Sequence, residues 1–97
     1  MMAVEENIQF TLSDLELFEK KVRNNEAELS EYLRFDKFIQ TQGLSTYLNE
    51  KIKENGLSSF EDYLYERKRR GIDTSGVTGT ILGITSTLKK YLTNTLY

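Results

Sequence analysis

The sequence predicts an all-α protein, a single helical domain over residues 1–97. It is expected to be a compact bundle or irregular domain of four to five helices, led by an extended N-terminal arm. Three observations carry this. Proline, the strongest helix breaker, is absent from the 97 residues. Apolar residues recur at helical spacing through most of the chain. Helix starts of the Ser-x-x-Glu kind and glycine stops alternate along it. At 38% hydrophobic and 29% charged, the composition supplies one modest core.

Met1 to Thr11 read as the arm; Ile8 and Phe10 alternate with polar residues, as in a short strand or a docked extended segment. Ser13 with Glu16 forms a capping box, and Leu15, Phe18 and Val22 then share a helical face. Glu16–Lys20 and Glu19–Arg23 are i,i+4 pairs in the favourable order, each stabilising by roughly 0.2–0.5 kcal/mol. Asn24-Asn25 either ends this helix or is read through, since Leu29, Tyr32 and Leu33 continue the stripe. A second segment spans about Glu26 to Thr41, and Gly43 suits the left-handed position beyond it. Ser45 is a candidate N-cap for a short helix burying Tyr47, Leu48 and Ile52, stopped by Asn55-Gly56. Ser58 with Glu61 makes a second capping box. The next helix buries Phe60, Tyr63 and Leu64, carries acids first and bases last as the macrodipole favours, and closes at Gly71. Asp73 to Gly76 is a turn or N-cap cluster.

Val77 to Tyr97 divides composition from spacing. Its threonines, valine and isoleucines favour strand. Val77, Ile81, Ile84, Leu88, Tyr91, Leu92 and Leu96 follow helical spacing, and strict alternation fails at Ile81-Leu82 and Tyr91-Leu92. Helix is the expectation. Gly79 and Gly83 each cost about 1 kcal/mol inside it, which close approach of another helix would offset. The expected core is Leu15, Phe18, Val22, Leu29, Leu33, Phe38, Ile39, Leu48, Ile52, Phe60, Leu64, Ile81, Ile84 and Leu88.

Chemistry is sparse. Histidine and cysteine are absent, which removes the imidazole base, the thiolate and the usual zinc ligands. Paired carboxylates such as Glu28/Glu31 and Asp62/Glu66 lie on patterned helices and read as solvated faces. The expectation is no enzyme activity, no cofactor and no bound metal. Gly71 to Thr78 has P-loop spacing, but Val77 stands where the lysine belongs and a helix precedes it in place of a strand. A weaker reading leaves amides at the start of the last helix, beside the basic run, to hold a phosphate. Asp73-Thr74-Ser75-Gly76 lacks the tight Asp-Thr-Gly turn of aspartic proteases. Phe38 to Ile52 fits a helix-turn-helix in part, though Ile39 is bulky and Glu50 and Glu54 would repel phosphates.

Charge is divided along the chain. Seven bases meet fourteen acids up to Glu66; six bases meet Asp73 alone from Arg67 onward, and the two parts return the net −2. Either the halves complement each other or the basic part faces an anion. The first functional expectation is a non-enzymatic interaction or regulatory protein. It would bind a protein partner, or assemble with itself, through Ile81, Ile84, Leu88, Tyr91 and Leu92 of the last helix. The alternative is a small nucleic-acid-binding regulator using Arg67, Lys68, Arg69, Arg70, Lys89 and Lys90. Tyr63 and Tyr65 precede the basic run without interleaving it, so no platform for stacking single-strand bases is marked. Gly79-x-x-x-Gly83 lies in a segment too polar to span a membrane. No integral membrane span or signal peptide is expected, and a cytoplasmic location fits the absence of cysteine.

Overall fold

The computed structural model describes residues 10–95. Five helices and no strand form among them: α1 (Leu12–Arg23), α2 (Leu29–Gln40), α3 (Ser45–Glu54), α4 (Phe60–Arg69) and α5 (Ser75–Thr95). The all-α architecture of the expected helix number is therefore present. Most of the expected N-terminal arm, residues 1–9, lies outside the described residues, as do Leu96 and Tyr97.

α1 starts earlier than the Ser13/Glu16 box implies. Thr11 is the N-cap: its hydroxyl accepts from the Asp14 amide at 3.1 Å, and the Asp14 carboxylate accepts from the Thr11 amide at 3.0 Å. This choice sets Phe10 one residue before the cap, where it reaches the core. Phe10 stacks on Phe38 at 5.2 Å and meets Phe18 edge-on at 6.2 Å. The backbone bond from Thr11 also holds the Asp14 carboxyl below the usual carboxylate range. Asn25, at φ 58°, turns left-handed and ends α1, so the helix does not run on to Leu29.

α2 is rotated by one position from the expected stripe. It buries Tyr32, Phe35, Phe38 and Ile39, while Leu33 is 47% exposed and Leu29 only packs at the edge. Neighbouring helical residues differ by about 100°, so the rings and Leu33 cannot all face inward. The rings win because they find ring partners: Phe35 stacks on Phe18 at 4.7 Å, and Tyr32 meets Phe18 and Tyr63 edge-on at 5.3 and 5.6 Å. Such pairs add about 0.5–1.5 kcal/mol each beyond burial.

Gly43, at φ 72°, makes the turn into α3. Leu44 holds the N-cap position expected of Ser45, whose hydroxyl instead donates to Asp36 across the turn at 3.0 Å. Leu48 and Ile52 are buried as expected, but Tyr47 is on the solvent side. The second capping serine is Ser59, not Ser58. The Ser59 hydroxyl accepts from the Asp62 amide at 3.2 Å, while the Ser58 amide and hydroxyl both donate to the Asp62 carboxylate. Arg70, at φ 62°, takes the left-handed closing position that was expected of Gly71. A side chain there is disfavoured, so Arg70→Gly should raise the free energy of unfolding by roughly 0.5–1 kcal/mol, as read by urea titration.

α5 is helical, as spacing predicted and composition did not. Three of its threonines donate to carbonyls of their own helix: Thr80 to Gly76 at 2.9 Å, Thr85 to Leu82 at 2.8 Å and Thr87 to Gly83 at 3.0 Å. These bonds satisfy the hydroxyls without leaving the helix. Val77, Ile81, Ile84, Thr85 and Leu88 are buried. α5 runs antiparallel to α1: Leu12 lies in one groove with Lys90 and Thr93, and Lys89 Nζ donates to Glu19 Oε1 at 2.6 Å.

That ion pair carries a prediction. The Lys89 bond, together with its charge, holds the Glu19 carboxyl below the usual glutamate range. A carboxyl depressed in the folded state contributes stability above its unfolded value, and loses it as pH falls through the folded value. Lys89→Met should therefore be less stable than wild type at neutral pH, with the difference vanishing in acid. Urea titrations of both proteins across that range would check it.

Candidate functional site

The five apolar residues expected to form a docking face do not present one. Ile81, Ile84 and Leu88 are buried within the chain's own core, and Leu92 packs partly against it. Only Tyr91, at 58% exposure, stands outward. The stripe that gives α5 its helical spacing is consumed by holding α5 in the fold.

The outward side of α5 is different in kind. Gly79 and Gly83 lie there, and a Cβ added to either would meet nothing within 4 Å. The neighbouring helix expected to approach these glycines is thus not supplied from within the described residues. Gly76 shows the contrast: a Cβ there would stand 2.9 Å from Asn55 Oδ1, so this glycine serves packing against the end of α3. From Thr74 to Leu88 no residue carries a charge. The outer surface of α5 therefore carries no charge of its own from Ser75 to Leu88.

The six bases of the alternative site are not brought together. Arg67 turns inward and ties four elements. Its Nη2 donates to the Val22 carbonyl at the end of α1 at 2.6 Å, and its Nη1 donates to the Tyr32 and Tyr63 hydroxyls at 3.3 Å each. Tyr63 in turn shares a 2.6 Å hydrogen bond with Thr78 of α5. Burial pushes the Tyr32 hydroxyl well above the ordinary tyrosine range, so it remains a neutral acceptor. Lys89 is held by Glu19. Lys68, Arg69, Arg70 and Lys90 are exposed, but Lys90 lies about 20 Å along the axis from the start of α5, given 1.5 Å per residue. Arg69 Nη1 is 3.9 Å from Glu66 Oε2, and its guanidinium lies over the Tyr65 ring at 5.8 Å.

The corner between α4 and α5 is not an open anion cradle. The Asp73 carboxylate already accepts from the Ser75 amide at 2.9 Å, and that bond lowers its own proton affinity. Glu66 and Asp73 line the same depression as Arg67 and Arg70. A phosphate entering there would meet two carboxylates. The α2–α3 corner buries Ile39, Leu48 and Ile52, and α3 balances Lys51 and Lys53 with Glu50 and Glu54. Lys51 pairs with Glu54 at 3.4 Å, leaving no cationic helix face for a DNA groove. Among the described residues, no three carboxylates gather as metal ligands would, and no helix is long and apolar enough to cross a membrane.

Arg67 is expected from sequence as one of four outward bases, and the structure instead turns it into the junction of the helices. Tyr65, noted in the sequence only as preceding the basic run, is 59% exposed. No protein-family model, curated protein or solved structure matches the chain.

Proposed function

We propose that this chain is a cytoplasmic, non-enzymatic binding module that engages a protein partner, or a second copy of itself, through the outward face of α5. The observation that supports this is the open pair Gly79 and Gly83. Each glycine lowers helix stability by about 1 kcal/mol relative to alanine. Neither one relieves a contact inside the fold, so a neighbour that comes close to the backbone from outside gives the pair a purpose. The uncharged surface around them suits such an approach, because no ionic group has to be desolvated. This reading keeps the helix expected from sequence and moves the contact to its opposite face.

The test separates folding from binding. Gly79→Ala and Gly83→Ala should each raise the free energy of unfolding by about 1 kcal/mol, since the added methyl has free space. In cells that express the protein natively, a photo-crosslinking residue at the exposed Thr87, one turn beyond Gly83, should give a discrete covalent adduct, and one at Glu61 should not. The added alanine methyls at positions 79 and 83 should weaken that adduct while strengthening the fold. No adduct from position 87, or equal adducts at both positions, would reject the α5 face.

A further inference from the structure

We infer that the last turns of α4 form a small platform for an unpaired nucleic-acid strand, with one base stacked on Tyr65 and the flanking phosphates on Lys68 and Arg69. This does not rest on the α5 reading, because a different surface carries it. Stacking requires an exposed ring, and Tyr65 is the outward tyrosine of α4, while Tyr63 is fully buried. The ring has a cation beside it: Arg69 follows one turn later with its guanidinium over the ring face. The guanidinium covers one face of the ring, so a base stacks on the opposite face of Tyr65, and every base has a face to offer in return.

The cations are available. Lys68 is exposed, and its side chain has no hydrogen bond or ion pair among the described residues. Arg69 is 62% exposed at its side chain and is held only loosely, at 3.9 Å, by Glu66. Glu66 and Asp73 face the depression beside Arg70, on the far side of the helix end from Tyr65, so Arg70 is not one of the platform's cations. Arg67, the inward member of the run, fastens this turn to the end of α1 and so keeps the platform rigid. Glu61 and Asp62, of the first turn of the same helix, line one depression with Tyr65. They make that side of the ring negative, so the phosphates of a bound strand lie on the C-terminal side of Tyr65. A duplex presents no free base face and meets only two cations, too few for firm binding.

Fluorescence anisotropy with labelled oligo-dT, oligo-U and a duplex of equal length, at low salt, tests the assignment. The single strands should bind more tightly than the duplex, with a log–log salt slope of about −1.4 from two phosphate contacts. Tyr65→Leu should weaken single-strand binding by roughly tenfold and leave the slope unchanged. The paired change Lys68→Gln with Arg69→Gln should flatten the slope. All three positions are exposed, and thermal unfolding followed by circular dichroism would verify that each variant is folded. Absence of saturable single-strand binding would overturn the proposal. So would binding indifferent to Tyr65, or equal retention by an acidic peptide or by vesicles of anionic lipid.

Discussion

Arg67→Ala should lower the free energy of unfolding by about 3 kcal/mol, the largest loss expected from any polar substitution in the chain. The guanidinium bonds one carbonyl and two hydroxyls from three different helices. Hydrogen bonds to a charged group are each worth about 1.5–3 kcal/mol, and the partners left behind are partly cut off from water. Tyr32 is fully buried and would lose a donor that no solvent molecule easily replaces. Arg67→Lys should recover only part of the loss, because an ammonium cannot reproduce the fork that reaches all three acceptors. A double-mutant cycle with Tyr63→Phe should give a coupling above about 0.5 kcal/mol in urea unfolding. Strict additivity would mean that the junction is not a unit.

Phe35→Ala should cost roughly 3–5 kcal/mol, enough to unfold much of a domain whose total stability is of order 5–15 kcal/mol. Phe35 is fully buried, stacked on Phe18 and edge-on to Phe10 at 6.1 Å. Its removal opens a cavity between α1 and α2 and takes a ring partner from Phe10, just ahead of α1. Leu33→Ala is the matched control, two positions away on the same helix, and should change stability by less than about 0.5 kcal/mol. Should Leu33→Ala prove the costlier of the two, α2 would have the opposite rotation. Thermal and urea unfolding of both variants decide it.

The sequence disclosed its helices more readily than their details. α5 is the clearest case, since Val77, Ile81, Ile84 and Leu88 outvoted a composition rich in threonine. The capping residues were harder because each start offers two hydroxyls. Thr11 competes with Ser13 and Ser58 with Ser59, and the winner depends on whether Phe10 reaches the core or whether Asp62 can serve both serines. The rotation of α2 was hidden for a related reason. Leu33 continues the periodicity as well as Tyr32 does, and only the rings of Phe18 and Tyr63, distant in sequence, break the tie. The candidate site was less legible still. Periodicity marks an apolar stripe but does not say whether the chain's own helices cover it, and here they cover Ile81, Ile84 and Leu88. Arg67 was counted with its neighbours because the carbonyl that turns it inward lies 45 residues away. Gly79 and Gly83, by contrast, were visible as an unexplained cost and remain one within the fold.

The pairing of α1 with α5 bears on the order of assembly. Glu19 and Lys89 are 70 residues apart, and Ile81, Ile84 and Leu88 belong to the same core as Leu15, Phe18 and Val22. As the polypeptide is made from its N-terminal end, α1 emerges early and must wait for nearly the whole described chain before its companion exists. The short turns joining α2 to α3 and α3 to α4 can close at once, since nearby segments meet quickly. Nascent chains should thus carry α2 to α4 already coiled, with Phe18 resting on Phe35 and Tyr32, while the side of α1 that α5 covers is still bare. In that interval this side of α1 is open to whatever chaperone attends the ribosome.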